Sequence, residues 1–365
     1  MIPEKIGFVG LGLIGGSIAK CFRQLKKDII IVAADAHEDT ITQAYREELI
    51  ENEISCSTSE FYDCDYIFLC APIRVNIEYL RLLKDHVKKD CIITDVGSVK
   101  SEIHREAEAL FLNRQFIGGH PMAGSEKAGL SNARASLLEN AFYILTPTKE
   151  TPAEALEKFA ALIRLLGAIP IILDHTMHDY ATAAISHLPH VIAYNLVNLV
   201  RTCDDENETM KTIAAGGFKD ITRIASSSPA MWEHICLSNK EPLAGLIDTF
   251  AQMLLQTRDA ILAEDKDRLT NAFSDAKNYR DSIAIHTNGV LAPVYEIYLD
   301  LLDEVGQIAA VAALLAQDHL SIKNIGIIHN REFEEGVLRL EMYDKPSADA
   351  AIALLERRSY KIYKR

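Results

Sequence analysis

Short runs of apolar residues alternate with longer stretches of helical spacing through the first half of the chain. Apolar runs stand at Lys5–Val9, Ile29–Ala34, Tyr66–Ala71, Cys91–Asp95, Phe116–Ile117, Phe142–Leu145 and Ala168–Leu173. Most are apolar throughout rather than every second residue, as strands covered on both faces are. Helical segments fall between them, the first over Ser17–Leu25. Thr151-Pro152-Ala153-Glu154 has the spacing of a capping box, which predicts a helix to about Leu166. Such alternation predicts a mainly parallel, doubly wound α/β sheet. From His175 to about Ile285 strand signals are sparse and helical spacing dominates. After Asn288-Gly289 and Pro293 the order becomes β-α-β-β-α-β, with strands at 295–302, 322–329, 336–343 and 360–363 and a second helix capped by Ser347, as in a ferredoxin-like α+β sandwich. Three domains are therefore expected, at 1–174, 175–290 and 294–365.

Composition narrows the class. The 365 residues are 48% apolar and 25% charged, with a net charge of −14. A chain this acidic is not expected to bind nucleic acid through phosphate contacts, which need a basic face. Seven cysteines show no C-x-x-C spacing, and several lie in apolar runs, so buried free thiols and a cytoplasmic setting are expected. The apolar start has too many glycines for a membrane span or signal peptide.

Gly10-Leu11-Gly12-Leu13-Ile14-Gly15 follows the first strand directly and opens a helix, as in a Rossmann-type dinucleotide site. Gly10 permits a tight turn, Gly12 lets a pyrophosphate approach, and Gly15 lets helix and strand pack closely. The phosphates would meet the open N–H groups of the helix start at Leu13 and Ile14. Asp35 ends the second strand, twenty residues beyond Gly15, where a carboxylate can hold ribose hydroxyls. Its other reading is a solvated acid at a strand end. No arginine follows Asp35 to meet a 2′-phosphate, so NAD is expected rather than NADP. Ala71-Pro72, Ser98 and His120 all fall at carboxyl ends of predicted strands, where ligands of such sheets bind.

Gly118-Gly119-His120-Pro121-Met122-Ala123-Gly124-Ser125-Glu126-Lys127 reads as a glycine-flanked loop that presents a proton acceptor near a nicotinamide. Further along, Ser186-His187-Leu188-Pro189-His190 opens an amphipathic run, and Lys219 and Arg223 stand four apart. Arg223 suits two-pronged carboxylate binding. Each has a plainer reading: core or capping histidines, a solvated arginine, and a core or interface role for Trp232. His175, His178, His187 and His190 cluster in sequence, but their spacing matches no zinc signature, so no metal is expected.

Taken in order, the glycine fingerprint, Asp95-Val96-Gly97-Ser98, the His120 segment, Ser186–His190 and Gly217-Phe218-Lys219-Asp220-Ile221-Thr222-Arg223 resemble the bacterial prephenate dehydrogenase family over about residues 4 to 285. The resemblance implies a homodimer that oxidatively decarboxylates prephenate to 4-hydroxyphenylpyruvate with NAD, on the way to tyrosine. It implies that His120 hydrogen-bonds the ring hydroxyl and that Ser98 orients this histidine beside the nicotinamide. Ser186 and His190 would lie in the substrate pocket, Arg223 and Lys219 would bind substrate carboxylate, and Trp232 would reach the pocket from a dimer partner. The last domain is similar to the ACT regulatory family, which implies an effector site for tyrosine around Asp303, Val305, Gly306, Gln307 and Asn324. The readings left open are arogenate as the substrate, or an NAD and amino-acid sensor without catalysis.

Overall fold

The computed structural model of the protein describes residues 2–124, 127–283, 295–301, 304, 306–328 and 336–363. The chain divides into two compact units, Met1–Leu269 and Thr270–Arg365.

The first unit opens with β1 (Lys5–Val9), α1 (Leu13–Leu25), β2 (Ile30–Ala34), α2 (Glu38–Arg46), β3 (Tyr66–Leu69), α3 (Ile73–Leu83), β4 (Ile92–Asp95) and α4 (Ser101–Ala109). The strands form a parallel sheet in the order β2-β1-β3-β4. β3 and β4 are buried along their whole length, as the unbroken apolar runs require. On one face Phe8 and Phe68 stack at 5.3 Å, with Phe22 and Phe159 packed against Phe68. The other face buries Ile67, Leu69, Ile93 and Phe116. This part of the unit is the expected Rossmann-like layer.

β5 (Ile117–Pro121), β6 (Phe142–Pro147), α5 (Ala153–Leu165) and β7 (Ile169–Ile172) extend the sheet beyond β4, with a parallel bridge from Ile93 to Phe116. The sheet is mainly parallel, as expected, with one exception here. β6 runs antiparallel to β5, because the segment between them returns without a full crossover helix, and β7 is parallel to β6. The expected capping box at Thr151 is also absent. Pro152 is the N-cap without a side-chain bond, the Thr151 hydroxyl instead accepts the Thr148 N–H, and Glu154 pairs with Lys158.

The helical part comprises α6 (His175–Thr182), a π turn (Ala183–His187), α7 (Leu188–Cys203), α8 (Thr209–Ile213), α9 (Gly216–Thr222), α10 (Pro229–Ser238), α11 (Lys240–Leu262) and α12 (Lys266–Ser282). Ser186–His190 therefore lies inside a helix continuous from His175 rather than opening one. Pro189 lacks an N–H and its ring crowds the carbonyl one turn back, and the wider π turn relieves both.

The second unit contains β8 (Tyr295–Leu301), α13 (Gln307–Gln317), β9 (Ile322–Ile328), β10 (Gly336–Met342), α14 (Lys345–Arg357) and β11 (Ile362–Tyr363). The antiparallel sheet runs β11-β8-β10-β9, the ferredoxin-like order. Ile297, Leu299, Leu301, Leu338 and Leu340 face the two helices. The cap of α14 is Asp344, not Ser347; the Asp344 carboxylate accepts the Ser347 N–H at 2.7 Å.

Candidate active site

The glycine fingerprint has the geometry its residue types require. Gly10 sits at φ +92°, where a side chain would be strained. A Cβ on Gly15 would stand 2.3 Å from the Gly10 carbonyl oxygen, so only glycine lets α1 approach β1 this closely. A Cβ on Gly12 would meet nothing within 4 Å, which leaves open space over the start of α1. Among the described residues no side chain caps that helix, so the N–H groups at Leu13 and Ile14 have no capping partner there. Asp35 accepts hydrogen bonds from the Leu11 N–H at 2.8 Å and the His37 N–H at 2.9 Å, which fixes its carboxylate beside the same turn. Open donors, open space and a fixed carboxylate fit a dinucleotide.

Ala71, Pro72 and Ser98 line one cavity of about 620 Å³, whose other wall is α10 with Met231, His234 and Ile235. The Ser238 hydroxyl donates to Glu102 at 2.9 Å and ties the end of α10 to α4. His190 and Trp232 line a second cavity of about 500 Å³, with Tyr194 and Glu233.

His120 is on β5, not in a loop. Gly118 and Gly119 are strand residues whose absent side chains make room: a Cβ on Gly119 would stand 2.6 Å from the Asp95 carbonyl oxygen and 2.9 Å from the Tyr143 ring. Among the described residues the ring is held by His178 and not by Ser98. His120 Nδ1 and His178 Nε2 lie 2.8 Å apart, and His178 Nδ1 is 2.8 Å from the Asp179 carboxylate. His178 is fully buried. Asp179 also accepts the Lys100 N–H at 2.7 Å and the Ser101 N–H at 2.8 Å, which caps the start of α4 from α6. Burial opposes ionisation of Asp179, but the hydrogen bonds from His178, Ser101 and Lys100 outweigh it and hold its pKa at about 2.

An ionised Asp179 assigns the protons along this line. His178 donates from Nδ1 to the carboxylate, the tautomer that leaves its Nε2 to accept, and His120 then donates from Nδ1. His120 Nε2 has no hydrogen-bond partner among the described residues, which leaves its lone pair open. Burial, then the neighbouring His178, Lys100 and His187, hold the His120 pKa well below the ordinary histidine value, so the ring is neutral. The arrangement makes His120 a proton acceptor of fixed tautomer. Neither His178 nor Asp179 stood out as a catalytic partner in sequence; only their adjacency to a histidine-rich segment hinted at it.

The π turn sets the second group. His187 is buried, with Asn239 Nδ2 3.1 Å from its Nδ1, while His190 donates from Nδ1 to the Ser186 carbonyl at 2.9 Å. The His190 ring stacks on Trp232 of the same chain at 3.6 Å. The Trp232 indole N–H is buried without a partner among the described groups. Burial, with Arg223 nearby, lowers the His190 pKa although the Ser186 bond opposes this. Arg223 is exposed and opens a 3₁₀ turn after α9, and Lys219 is exposed on that helix. Ser186 contributes its carbonyl to this group. Ser125 and Glu126 lie outside the described residues, as do Asp303 and Val305. Gly306 caps α13 at φ +95°, Gln307 is its first residue, and Asn324 lies on β9. No group of three histidine, cysteine or acidic side chains is placed to hold a metal among the described residues, and no described helix is long and apolar enough to cross a membrane.

Family models match the chain in two places: residues 18–172 as the nucleotide-binding domain of prephenate dehydrogenase, and residues 174–275 as its dimerization domain. The chain is 35% identical to a prephenate dehydrogenase of Bacillus subtilis (strain 168) over 360 residues, 98% of this chain and 97% of the relative. Among solved structures it is similar to prephenate dehydrogenase from A. aeolicus in complex with hydroxyphenyl propionate and NAD+, with a TM-score of 0.72 and 32% identity over 77% of this chain and 98% of that one. It is also similar to Synechocystis arogenate dehydrogenase, with a TM-score of 0.69 and 30% identity over 76% of this chain and 99% of that one.

Proposed function

Because the chain belongs to the prephenate dehydrogenase family, we propose that it converts prephenate and NAD to 4-hydroxyphenylpyruvate, carbon dioxide and NADH, with His120 as the proton acceptor. The observation that carries the assignment of His120 is the Asp179–His178–His120 line, which leaves one imidazole nitrogen free to accept. Gly10, Gly12, Leu13, Ile14, Gly15 and Asp35 would hold the dinucleotide, with Ala71, Pro72 and Ser98 toward its nicotinamide, and when bound it would supply the hydride acceptor. His120 Nε2 takes the hydroxyl proton as the ring carbon–oxygen bond gains double-bond character. The positive charge that then forms on His120 is balanced through His178 by the Asp179 carboxylate. Once the ring carboxylate has left as carbon dioxide and the ring is aromatic, the His120 imidazolium returns its proton to the phenolic oxygen. No proton is gained or lost overall.

Arg223 and Lys219 supply positive charge for the substrate carboxylates in a chain that is otherwise strongly acidic. His190, held by the Ser186 carbonyl, and Trp232 line the adjoining cavity, with Arg223 near enough to His190 to lower its pKa. In this reading Trp232 orders His190 within its own subunit by stacking, which differs from an arrival across a dimer interface. The helical part serves homodimer formation. Its longest helix, α11, exposes Met253, Leu254 and Ile261, an apolar surface that a second copy would cover.

The second unit acts as an ACT-type regulatory module that takes tyrosine near Gly306, Gln307 and Asn324. The support is its β-α-β-β-α-β order and the open turn at Gly306. Following NADH absorbance with prephenate, with arogenate, and with either plus tyrosine tests each part. His120→Asn should lower kcat by about 10²–10⁴ with KM nearly unchanged; near-normal turnover would remove His120 from the mechanism. Preference for arogenate would shift the substrate assignment and leave the His120 chemistry intact. Removing residues from about 290 onward should abolish tyrosine sensitivity.

A further inference from the structure

Asp95 and Lys100 form an ion pair in which both side chains are 0% exposed. Asp95 is the last residue of β4, and its carboxylate gathers three donors. Oδ1 accepts the Gly119 N–H at 3.3 Å; Oδ2 accepts the Gly97 N–H at 2.9 Å and the Lys100 ammonium. One carboxylate thus joins the turn that carries Ser98 to the strand that carries His120. Glycines leave room for this approach. A Cβ on Gly97 would lie 2.9 Å from Asp95 Oδ2 and one on Gly119 2.6 Å from the Asp95 carbonyl oxygen, while one on Gly118 would meet the Thr146 hydroxyl at 2.3 Å and His104 Nε2 at 2.9 Å before Lys100 Cδ at 3.2 Å. Glycine inside a strand weakens it, so its presence at 118 and 119 needs such a reason. Stability is a poor one, since a buried ion pair loses about as much by desolvation as it gains by attraction.

We propose that the Asp95–Lys100 pair is a positioning element for the active site, which fixes His120 against the Ser98 turn and sets a positive charge near the His120 ring. The proposal rests on the reading of His120 as the proton acceptor. The charged and titratable groups that act on this ring are Lys100 after β4, His178 and Asp179 from α6, and His187 from the π turn, with Asp95 behind Lys100. His104 of α4 and Tyr143 of β6 lie close behind. Burial, with His175 and Lys100, pushes the His104 pKa down to about 3, and burial raises that of Tyr143 well above its ordinary value, so both are neutral. Burial lowers the Lys100 pKa and the Asp95 carboxylate opposes this, and the ammonium charge that the pair holds here opposes imidazolium formation. The ring stays ready to accept between turnovers and readily gives its proton back.

Two variants of the full-length enzyme test this: Lys100→Met, and the charge-neutral pair Asp95→Asn/Lys100→Met, which strands no buried ion should the single change unfold the chain. In each, the His120 imidazole is titrated by NMR without substrate, and kcat/KM is followed against pH. Both variants should titrate His120 at higher pH than the parent, and the acid limb of kcat/KM should move the same way. The double variant should also lose kcat on the order of a hundredfold at its best pH, as turn and strand lose their shared anchor. A folded double variant with an unmoved His120 titration would overturn the proposal, as would an activity loss equal at every pH. The NMR titration needs no turnover, so it decides the role of the pair even if prephenate proves not to be the substrate.

Discussion

His178 is the residue whose removal tests the proton assignment most directly. Its ring is fully buried, lines neither cavity, and makes two hydrogen bonds of 2.8 Å, one to His120 and one to Asp179. His178→Phe keeps the ring volume and deletes both bonds. Asp179 would retain its two backbone donors from Lys100 and Ser101, so the carboxylate stays satisfied and the start of α4 stays capped. The His120 N–H would lose its partner, and at about 1–3 kcal/mol for an unsatisfied buried group the fold should lose that much stability. The catalytic loss should be larger. His120 could then carry its proton on either nitrogen and rotate, which gives up much of the roughly 10²–10⁴ that a placed base supplies. We expect kcat to fall about 10²–10³-fold, or about 3–4 kcal/mol. KM for prephenate should stay within about threefold, because no predicted substrate group touches His178. His178→Gln, whose amide oxygen can still accept from His120, should recover most of kcat. The assay is initial-rate NADH absorbance with saturating NAD, beside a thermal melt of each variant. A folded His178→Phe enzyme with kcat within about threefold of the parent would refute the reasoning. So would a glutamine variant no better than the phenylalanine one.

Other changes probe the remaining parts. Gly12→Ala places its methyl in open space, so Tm should hold while KM for NAD rises at least about tenfold; Gly15→Ala drives a methyl against the Gly10 carbonyl and should also cost about 1–3 kcal/mol of stability. Normal NAD binding by Gly12→Ala would place the pyrophosphate elsewhere. Arg223→Ala should raise KM for prephenate by about 1.5–3 kcal/mol, the worth of a hydrogen bond to a charged group, with kcat little changed; an unchanged KM would assign the carboxylate to another cation. Acid should destabilise the chain through its buried neutral histidines. Burial lowers His104 to about 3 and His187 to about 4, from an ordinary value of 6.5. The unfolded chain therefore binds protons first, and stability falls as pH drops below about 6.5. Near pH 5 each histidine contributes a loss of about 2 kcal/mol. Melts at pH 7.5 and 5 check this, and an unchanged Tm across that interval would contradict the neutral, buried assignment.

The cofactor half of the first unit was legible because its chemistry is local. Gly10, Gly12 and Gly15 follow a strand and open a helix within six residues, and a single turn decides whether a pyrophosphate fits. Asp35 could be placed by counting because one strand and one helix have a nearly fixed length. The reversal of β6 was not legible. An apolar strand reads the same in either direction, and only the segment from 122 to 141, which lacks a full crossover helix, decides between them. Capping errors at Thr151 and Ser347 have a related cause, since several hydroxyl and acidic residues compete at one helix start and the backbone geometry picks the winner.

The acid–base line escaped the sequence for a different reason. His120, His178 and Asp179 are joined by hydrogen bonds that span 58 residues, and no periodicity encodes a contact between a strand edge and a distant helix. In the sequence the glycines at 118 and 119 read as the flanks of a loop, since glycine does favour loops. Their actual use is space: a methyl group on Gly118 would meet the Thr146 hydroxyl and one on Gly119 the Asp95 carbonyl oxygen, so either would displace β5, whose Gly119 N–H reaches the Asp95 carboxylate. The same residues thus have opposite mechanical meanings in the two readings. A loop would let His120 move toward its substrate, whereas this strand holds it still and requires the substrate to come to it. The second meaning agrees better with the chemistry, because a base whose free nitrogen is fixed by Asp179 through His178 keeps that advantage only while its ring cannot turn.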